Sequence, residues 1–341
     1  MNVLYLLTML PPKMPECEAI SQEIEALRGH FGGDLIYLNP NHRSPLYIPR
    51  ILFGFHKLGH LRAIESGSSL LVHHLYNPDP FPFPVLRLLR DPVVYSLTGG
   101  VQRRPNVSFF TSLAAVTVAD EKSLERLRSW GVDNAFLVRP GIDTNRFTHS
   151  PLSLQSEVRL MIGSAPWTRA QFETKGVDAL LSAAQRSPRL RLVFLWRGEL
   201  VEDMERRVRR MGLGGQVEIL NGKVDVNQVL AGVHASVTLA VSPAIVKSYP
   251  HSLLDSLAAG KPVLVSRAIP MADYVERAGC GQVVENVTPV DILAAVEALE
   301  ERYDGLQKSA QLVGQRDFSQ EGMIASFQRV YEHVLGQTGQ R

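Results

Sequence analysis

Twelve short apolar runs, separated by amphipathic or polar stretches, restrict this chain to one class of architecture. Runs that stay apolar for several residues without alternating belong to strands buried on both faces. Such strands occur in parallel sheets with helices on either side. The first six candidates lie at 3–10, 34–38, 70–73, 93–97, 115–118 and 135–138. A second series follows at 158–162, 191–195, 217–219, 235–239, 263–265 and 281–284. Helical spacing fills 16–28 and 121–130 in the first series, then 176–185, 200–211, 226–231, 252–259 and 289–303 in the second. Between the series lies the polar connector Thr148-His149-Ser150-Pro151-Leu152-Ser153-Leu154-Gln155-Ser156. The expected fold is α/β: a doubly wound domain over 1–150, another over 157–317, and a terminal helical segment over 318–341. That last segment follows Gln315-Arg316-Asp317-Phe318, read as irregular.

With 341 residues the chain suits two domains, and 45% hydrophobic residues suffice for two cores. The formal net charge of +2 gives no reason to expect nucleic acid. Cys17 and Cys280 are far apart and form no C-x-x-C, which suits a reducing cytoplasm and offers no zinc site. No run reaches transmembrane length. The apolar start at 3–10 runs into Pro11-Pro12 without a basic leader, so it reads as a strand and not as a signal peptide. No G-x-G-x-x-G follows a strand, which argues against a dinucleotide-dependent dehydrogenase.

The segment Lys247-Ser248-Tyr249-Pro250-His251-Ser252-Leu253-Leu254-Asp255-Ser256-Leu257-Ala258-Ala259-Gly260-Lys261-Pro262-Val263 carries the most chemical information. It reads as a polar loop, a helix opened by Ser252, a glycine stop and a strand. A loop ending on a helix amino terminus offers unpaired N–H groups and the positive end of the helix dipole, a ready site for phosphate. Asp255, one turn in, can accept hydrogen bonds from sugar hydroxyls. The same residues also make an S-x-x-D capping pair that needs no ligand.

This segment resembles the donor-binding segment of retaining glycosyltransferases of family 4, which reads E-x-F-P-x-S-L-L-E-A-x-A-x-G-K-P-V. The second family glutamate is Asp255 here, and the first is replaced by Lys247. Val138-Arg139-Pro140-Gly141-Ile142-Asp143-Thr144-Asn145-Arg146-Phe147 matches the family's P-x-G-V/I-D-x-x-x-F signature and reads as a structural turn. Gly163-Ser164-Ala165-Pro166-Trp167-Thr168-Arg169 with Thr174-Lys175-Gly176-Val177-Asp178 resembles the G-R-L…K-G-x-D segment, in which a lysine and an arginine neutralise the donor diphosphate. Lys175 matches that lysine. Ser164 stands at the arginine's place, and Arg169 is either its substitute or a solvated loop residue.

The resemblance implies a GT-B fold, with two Rossmann-like domains facing a cleft and the last helix crossing back to the first. It implies hexose transfer from a nucleoside-diphosphate sugar with retention, with no metal and no cofactor beyond that donor. Arg197-Gly198 and Val224 occupy donor-contacting turns, and His251, Ser252 and Leu253 open the donor-binding helix. His73 and His74, placed at a strand's cleft end, are either catalytic or structural hydrogen-bonding groups. Lys247 either pairs with a donor carboxylate, as in a uronic acid, or supplements the diphosphate clamp or turns outward. A catalytically silent GT-B module that binds a nucleotide-sugar or a partner protein is the alternative function.

Residues 41–64 contain Arg43, Arg50, Lys57 and Arg62, three histidines and no acid. Apolar residues recur at helical spacing from Pro49 to Leu61. The pattern has two readings: an interfacial helix making weak contact with an anionic membrane, or a helix packed on the first sheet. On the membrane reading the acceptor is lipid-linked and the enzyme is peripheral to the inner face of the membrane; otherwise the acceptor is a soluble carbohydrate.

Overall fold

The computed structural model describes residues 2–12, 14–42, 44, 46–67, 71–196 and 200–338. Two compact units emerge, one of Met1–Gly141 with Gln320–Arg341 and one of Ile142–Ser319. The connector at 148–156 lies within the second unit.

In the first unit, strands β1 (Asn2–Leu7), β2 (Leu35–Tyr37), β3 (Leu71–Asn77), β4 (Val93–Leu97), β5 (Ala115–Val118) and β6 (Ala135–Leu137) form a parallel sheet in the order β2-β1-β3-β4-β5-β6. β3 and β4 are buried along their whole length, as strands covered on both faces must be. The terminal helix Gln320–Thr338 covers one face, with Met323, Phe327, Val330, Tyr331 and Val334 packed on Val3, Tyr5, Val72 and Tyr76.

The second unit repeats the plan with β7 (Val158–Ile162), β8 (Leu190–Trp196), β9 (Val217–Asn221), β10 (Ala235–Thr238), β11 (Val263–Ser266) and β12 (Gly281–Val284). Their order is β12-β11-β10-β7-β8-β9, all parallel. Phe172, Leu181, Phe194, Trp196, Ile292 and Leu306 anchor the core on one side of this sheet.

Three local expectations are corrected. The stretch Gln315-Arg316-Asp317 is not irregular but the last turn of helix Tyr303–Asp317. Gln315 and Arg316 face outward, Asp317 accepts from Tyr274 OH at 2.6 Å, and Tyr303, Leu306, Ala310 and Val313 face the core. Strand β3 does not end at His73 but continues to Asn77. The stretch from Pro49 to Leu61 is not one amphipathic helix. It forms the short 3-10 turns Arg50–Leu52 and Phe55–Lys57, then helix Leu58–Gly67. Gly54, at φ 85°, interrupts it in a left-handed conformation that a helix cannot contain. The apolar residues accordingly divide: Phe53 and Leu61 enter the core, whereas Leu46, Tyr47, Ile51, Leu52 and Phe55 remain exposed.

Lys261, at the foot of β11, is wholly buried, and its Nζ has no hydrogen-bond partner. Burial lowers its pKa to about 8. The folded state therefore resists the proton that the unfolded chain holds up to about pH 10.4. Below pH 8 both states are protonated and the penalty is complete; it lessens as the pH rises through 8 toward 10. Lys261→Met should raise stability at pH 7, with a smaller gain at pH 9.5. Urea unfolding at both values checks this, and a gain that does not shrink with pH contradicts it.

Candidate functional site

Open parallel sheets bind ligands where the strand order reverses, because adjacent connections depart in opposite directions and leave a crevice at the carboxyl ends. In the second unit this reversal lies between β7 and β10: the chain runs outward from β7 to β8 and β9, then returns to place β10 on the other edge of β7.

The residues that follow these two strands meet. A Cβ placed on Gly163, just beyond β7, would lie 2.5 Å from the Cβ of Ser252. Only glycine lets the strand end approach the first turn of helix His251–Ala258 this closely. Thr238 Oγ1, at the end of β10, is 3.4 Å from Ser252 Oγ. Pro250 is the N-cap of the helix and supplies no side-chain cap, so Ser252 is the second helical residue and the capping-pair reading does not apply.

Lys175 follows the short helix Gln171–Thr174 and is only 9% exposed. Its Nζ donates to Ala165 O at 3.1 Å, which places the ammonium beside the segment after β7. Val241 N donates to Thr174 O at 2.9 Å and ties this loop to the one after β10. Lys175 and the amino end of the His251 helix therefore both border 163–165. A fixed ammonium and a helix dipole of the same sign make a site for an anion.

The other expected donor residues have varied placements. Asp255 is half-buried one turn along the helix, His251 and Leu253 are buried, and Lys247 is half-buried in the preceding turn. Tyr249 packs against Tyr274 and Phe318, with ring centroids at 6.1 and 5.6 Å, so the Tyr-Pro pair anchors the loop. Arg169 is 76% exposed, and its Nε is 3.7 Å from Asp203 Oδ1, which places it in the solvated loop. Val224 is half-buried in the loop beyond β9. Arg197 and Gly198 lie outside the described residues.

His73 and His74 require correction. Both lie inside β3, not at its carboxyl end, and both are fully buried. His73 Nε2 donates to Glu65 Oε1 at 2.9 Å. His74 joins Tyr331 OH at 2.7 Å through Nδ1 and Ser96 Oγ at 2.6 Å through Nε2, and Ser96 continues to Thr117. That chain of hydrogen bonds fastens the terminal helix to the sheet.

The residues at the carboxyl end of β3 escaped the sequence reading. The first sheet reverses between β1 and β3. There Thr8 Oγ1 donates to Asn77 Oδ1, Asn77 Nδ2 donates to Asp79, and Arg50 grips Asp79 with both terminal nitrogens at 2.7 and 2.9 Å. The Arg50 guanidinium also lies 4.4 Å from the Phe81 ring centre. A polar trio after an apolar run was the available signal.

Residues 168–313 match the family model of glycosyl transferases group 1. The lipopolysaccharide glucosyltransferase WaaG of Escherichia coli K12 is 28% identical over 134 residues, which is 38% of this chain and 33% of WaaG. That sequence match thus spans about a third of the relative's length. Among solved structures, a glycosyltransferase from Rickettsia africae superposes with a TM-score of 0.74 at 12% identity, covering 98% of both chains. HepE of Anabaena in complex with UDP gives 0.70 at 14%, covering 97% of this chain and all of HepE. The fold is GT-B, and the chain resembles glycosyltransferases of group 1.

Burial lowers the His74 pKa to about 3, against about 6.5 when unfolded. As pH falls through 6.5 the unfolded chain takes up a proton that the folded state refuses, so stability is lost from 6.5 downward. At pH 5 this one group should account for about 2 kcal/mol. The loss of stability between pH 7 and 5 in urea unfolding should be visibly smaller in His74→Gln; equal losses contradict the buried neutral imidazole.

Proposed function

We propose that this protein is a retaining glycosyltransferase that moves a hexose from a nucleoside-diphosphate sugar to a carbohydrate acceptor. The observation that carries the reading is that buried Lys175 and the first turn of the His251 helix, with Ser252, meet at the reversal of the second sheet. Cleavage of the sugar–phosphate bond leaves extra negative charge on the diphosphate. A fixed cation and oriented N–H groups aimed there favour the transition state over the bound donor. Asp255 accepts hydrogen bonds from the donor ribose. HepE of Anabaena, of the same fold, has been solved with UDP and with UDP-glucose, which supports a donor of this class.

The reaction is proposed to need no metal, since the sequence has no aspartate-rich motif, and no protein nucleophile, since it has no serine–histidine–acid arrangement or obvious carboxylate pair. Attack is then on the front face of the sugar. Initial rates that do not respond to added Mg²⁺ or Mn²⁺ are expected. The setting is proposed to be the cytoplasm, which suits the two free cysteines, Cys17 and Cys280. Arg169 paired with Asp203, and Lys247 in place of an acid, favour the alternative of a silent module that binds the donor without transfer.

Lys175→Ala should reduce transfer by roughly 2–4 kcal/mol of barrier, the loss expected for one contact to a developing oxyanion. Unchanged turnover removes Lys175 from the diphosphate. Asp255→Asn should weaken donor affinity, as read by calorimetry. Wild-type protein that binds UDP-sugars yet neither transfers nor hydrolyses them establishes the silent module.

The acceptor is proposed to be lipid-linked and met at the surface formed by Leu46, Tyr47, Ile51, Leu52 and Phe55, all exposed. Among the described residues no helix is long and apolar enough to cross a membrane. Arg50 is neutralised by Asp79, which leaves Lys57 and Arg62 as the described basic groups of this segment. At about 1 kcal/mol each they support weak, salt-sensitive attachment. The protein should sediment with anionic vesicles at low salt and be released at high salt. Absence of binding at low salt points to a soluble acceptor.

A further inference from the structure

A second cluster of ionisable groups lies in the first unit, away from the reversal of its sheet. Glu65 of helix Leu58–Gly67, His73 near the start of β3, and Asp91 in the loop before β4 each offer a ligand atom, and the three atoms lie within 4.8 Å of one another. Glu65 and His73 are buried, with side-chain exposures of 2% and 0%. Glu65 Oε1 is fully engaged, accepting from His73 Nε2 at 2.9 Å, Arg90 N at 2.7 Å and Asp91 N at 3.2 Å.

What remains is a set of orphans. Glu65 Oε2, His73 Nδ1 and Asp91 Oδ2 are all buried without a hydrogen-bond partner. Buried polar atoms left unpaired are costly, and two of these are carboxylate oxygens of residues that each offer an ion a ligand atom; His73 Nε2 is the ring nitrogen that faces Glu65, and Nδ1 points away from it. Carboxylates this close repel, and Glu65 and Asp91 each keep a buried oxygen without a partner. A cation relieves both conditions at once.

We propose that Glu65, His73 and Asp91 bind one divalent transition ion of the zinc class. One imidazole nitrogen with two carboxylate oxygens is a donor set for such an ion, whereas magnesium and calcium favour oxygen alone. Three protein ligands would leave the fourth position of a tetrahedral ion to water. The backbone N–H groups that hold Glu65 Oε1 orient the carboxylate for metal, as outer partners of ligands commonly do. The ion would join helix Leu58–Gly67, β3 and the loop before β4, a structural role separate from sugar transfer.

The full-length protein, freed of metal by chelation and dialysis, is titrated calorimetrically with Zn²⁺, and its thermal unfolding is followed with and without Zn²⁺. One equivalent should bind at micromolar or tighter concentration and raise the unfolding midpoint. Asp91→Asn, in a half-buried loop and expected to fold, should weaken binding at least ~10-fold and abolish the shift. His73→Gln should do the same; should it fail to fold, Asp91→Asn alone decides. Wild-type protein without a stoichiometric Zn²⁺ site, or Asp91→Asn binding as wild type does, overturns the proposal.

Discussion

The close approach of β7 to the helix that follows β10 is the constraint on which the candidate site depends. Parallel strands end together, so their connecting loops crowd at one edge of the sheet, and only where the order reverses do they part. Gly163 brings Ser252 to van der Waals contact at that point, and the Thr174–Val241 hydrogen bond holds the flanking loop. Lys175 is thereby fixed against Ala165 O with little freedom left to lose on binding. Burial costs the ammonium part of its hydration in the free protein, and on the proposed reading a bound diphosphate would recover that cost.

Burial separates this lysine from the cation nearby in sequence. Lys175 is held in a low-dielectric setting where its field is weakly screened, while Arg169 extends into solvent beside Asp203. The same distinction applies in the first unit: the Arg50–Asp79 pair, stacked on Phe81, is organised well beyond an ordinary surface ion pair, whereas Lys57 and Arg62 are not so constrained. Counting basic residues along 41–64 therefore overstated the charge available to a partner.

Much of the architecture was legible because strands buried on both faces leave unbroken apolar runs; β4, β5, β7 and β12 fall where those runs lie. β3 was cut short because His73-His74 looks like a strand end. Glu65 takes one ring nitrogen of His73, and Tyr331, 257 residues away, takes one of His74; no local pattern announces such partners. Helix Tyr303–Asp317 was not legible at all: the helical pattern reads as ending at 303 and 315–318 as irregular, since the exposed Gln315 and Arg316 resemble a loop. At the site, Lys175 and the Ser252 helix were readable since each belongs to a short contiguous motif. The Thr8, Asn77, Asp79 and Arg50 network was not, because it assembles from three separated segments.

The central claim is that a nucleoside diphosphate is held between the Lys175 loop and the start of the His251 helix. Hydrogen exchange measured with and without UDP, and in parallel with GDP and ADP, tests it most directly. With whichever nucleotide binds, amide protection should concentrate in 163–176 and 247–255 and be lost in Lys175→Ala at the same concentration. Protection confined to other segments, or unaltered by that substitution, would contradict the account.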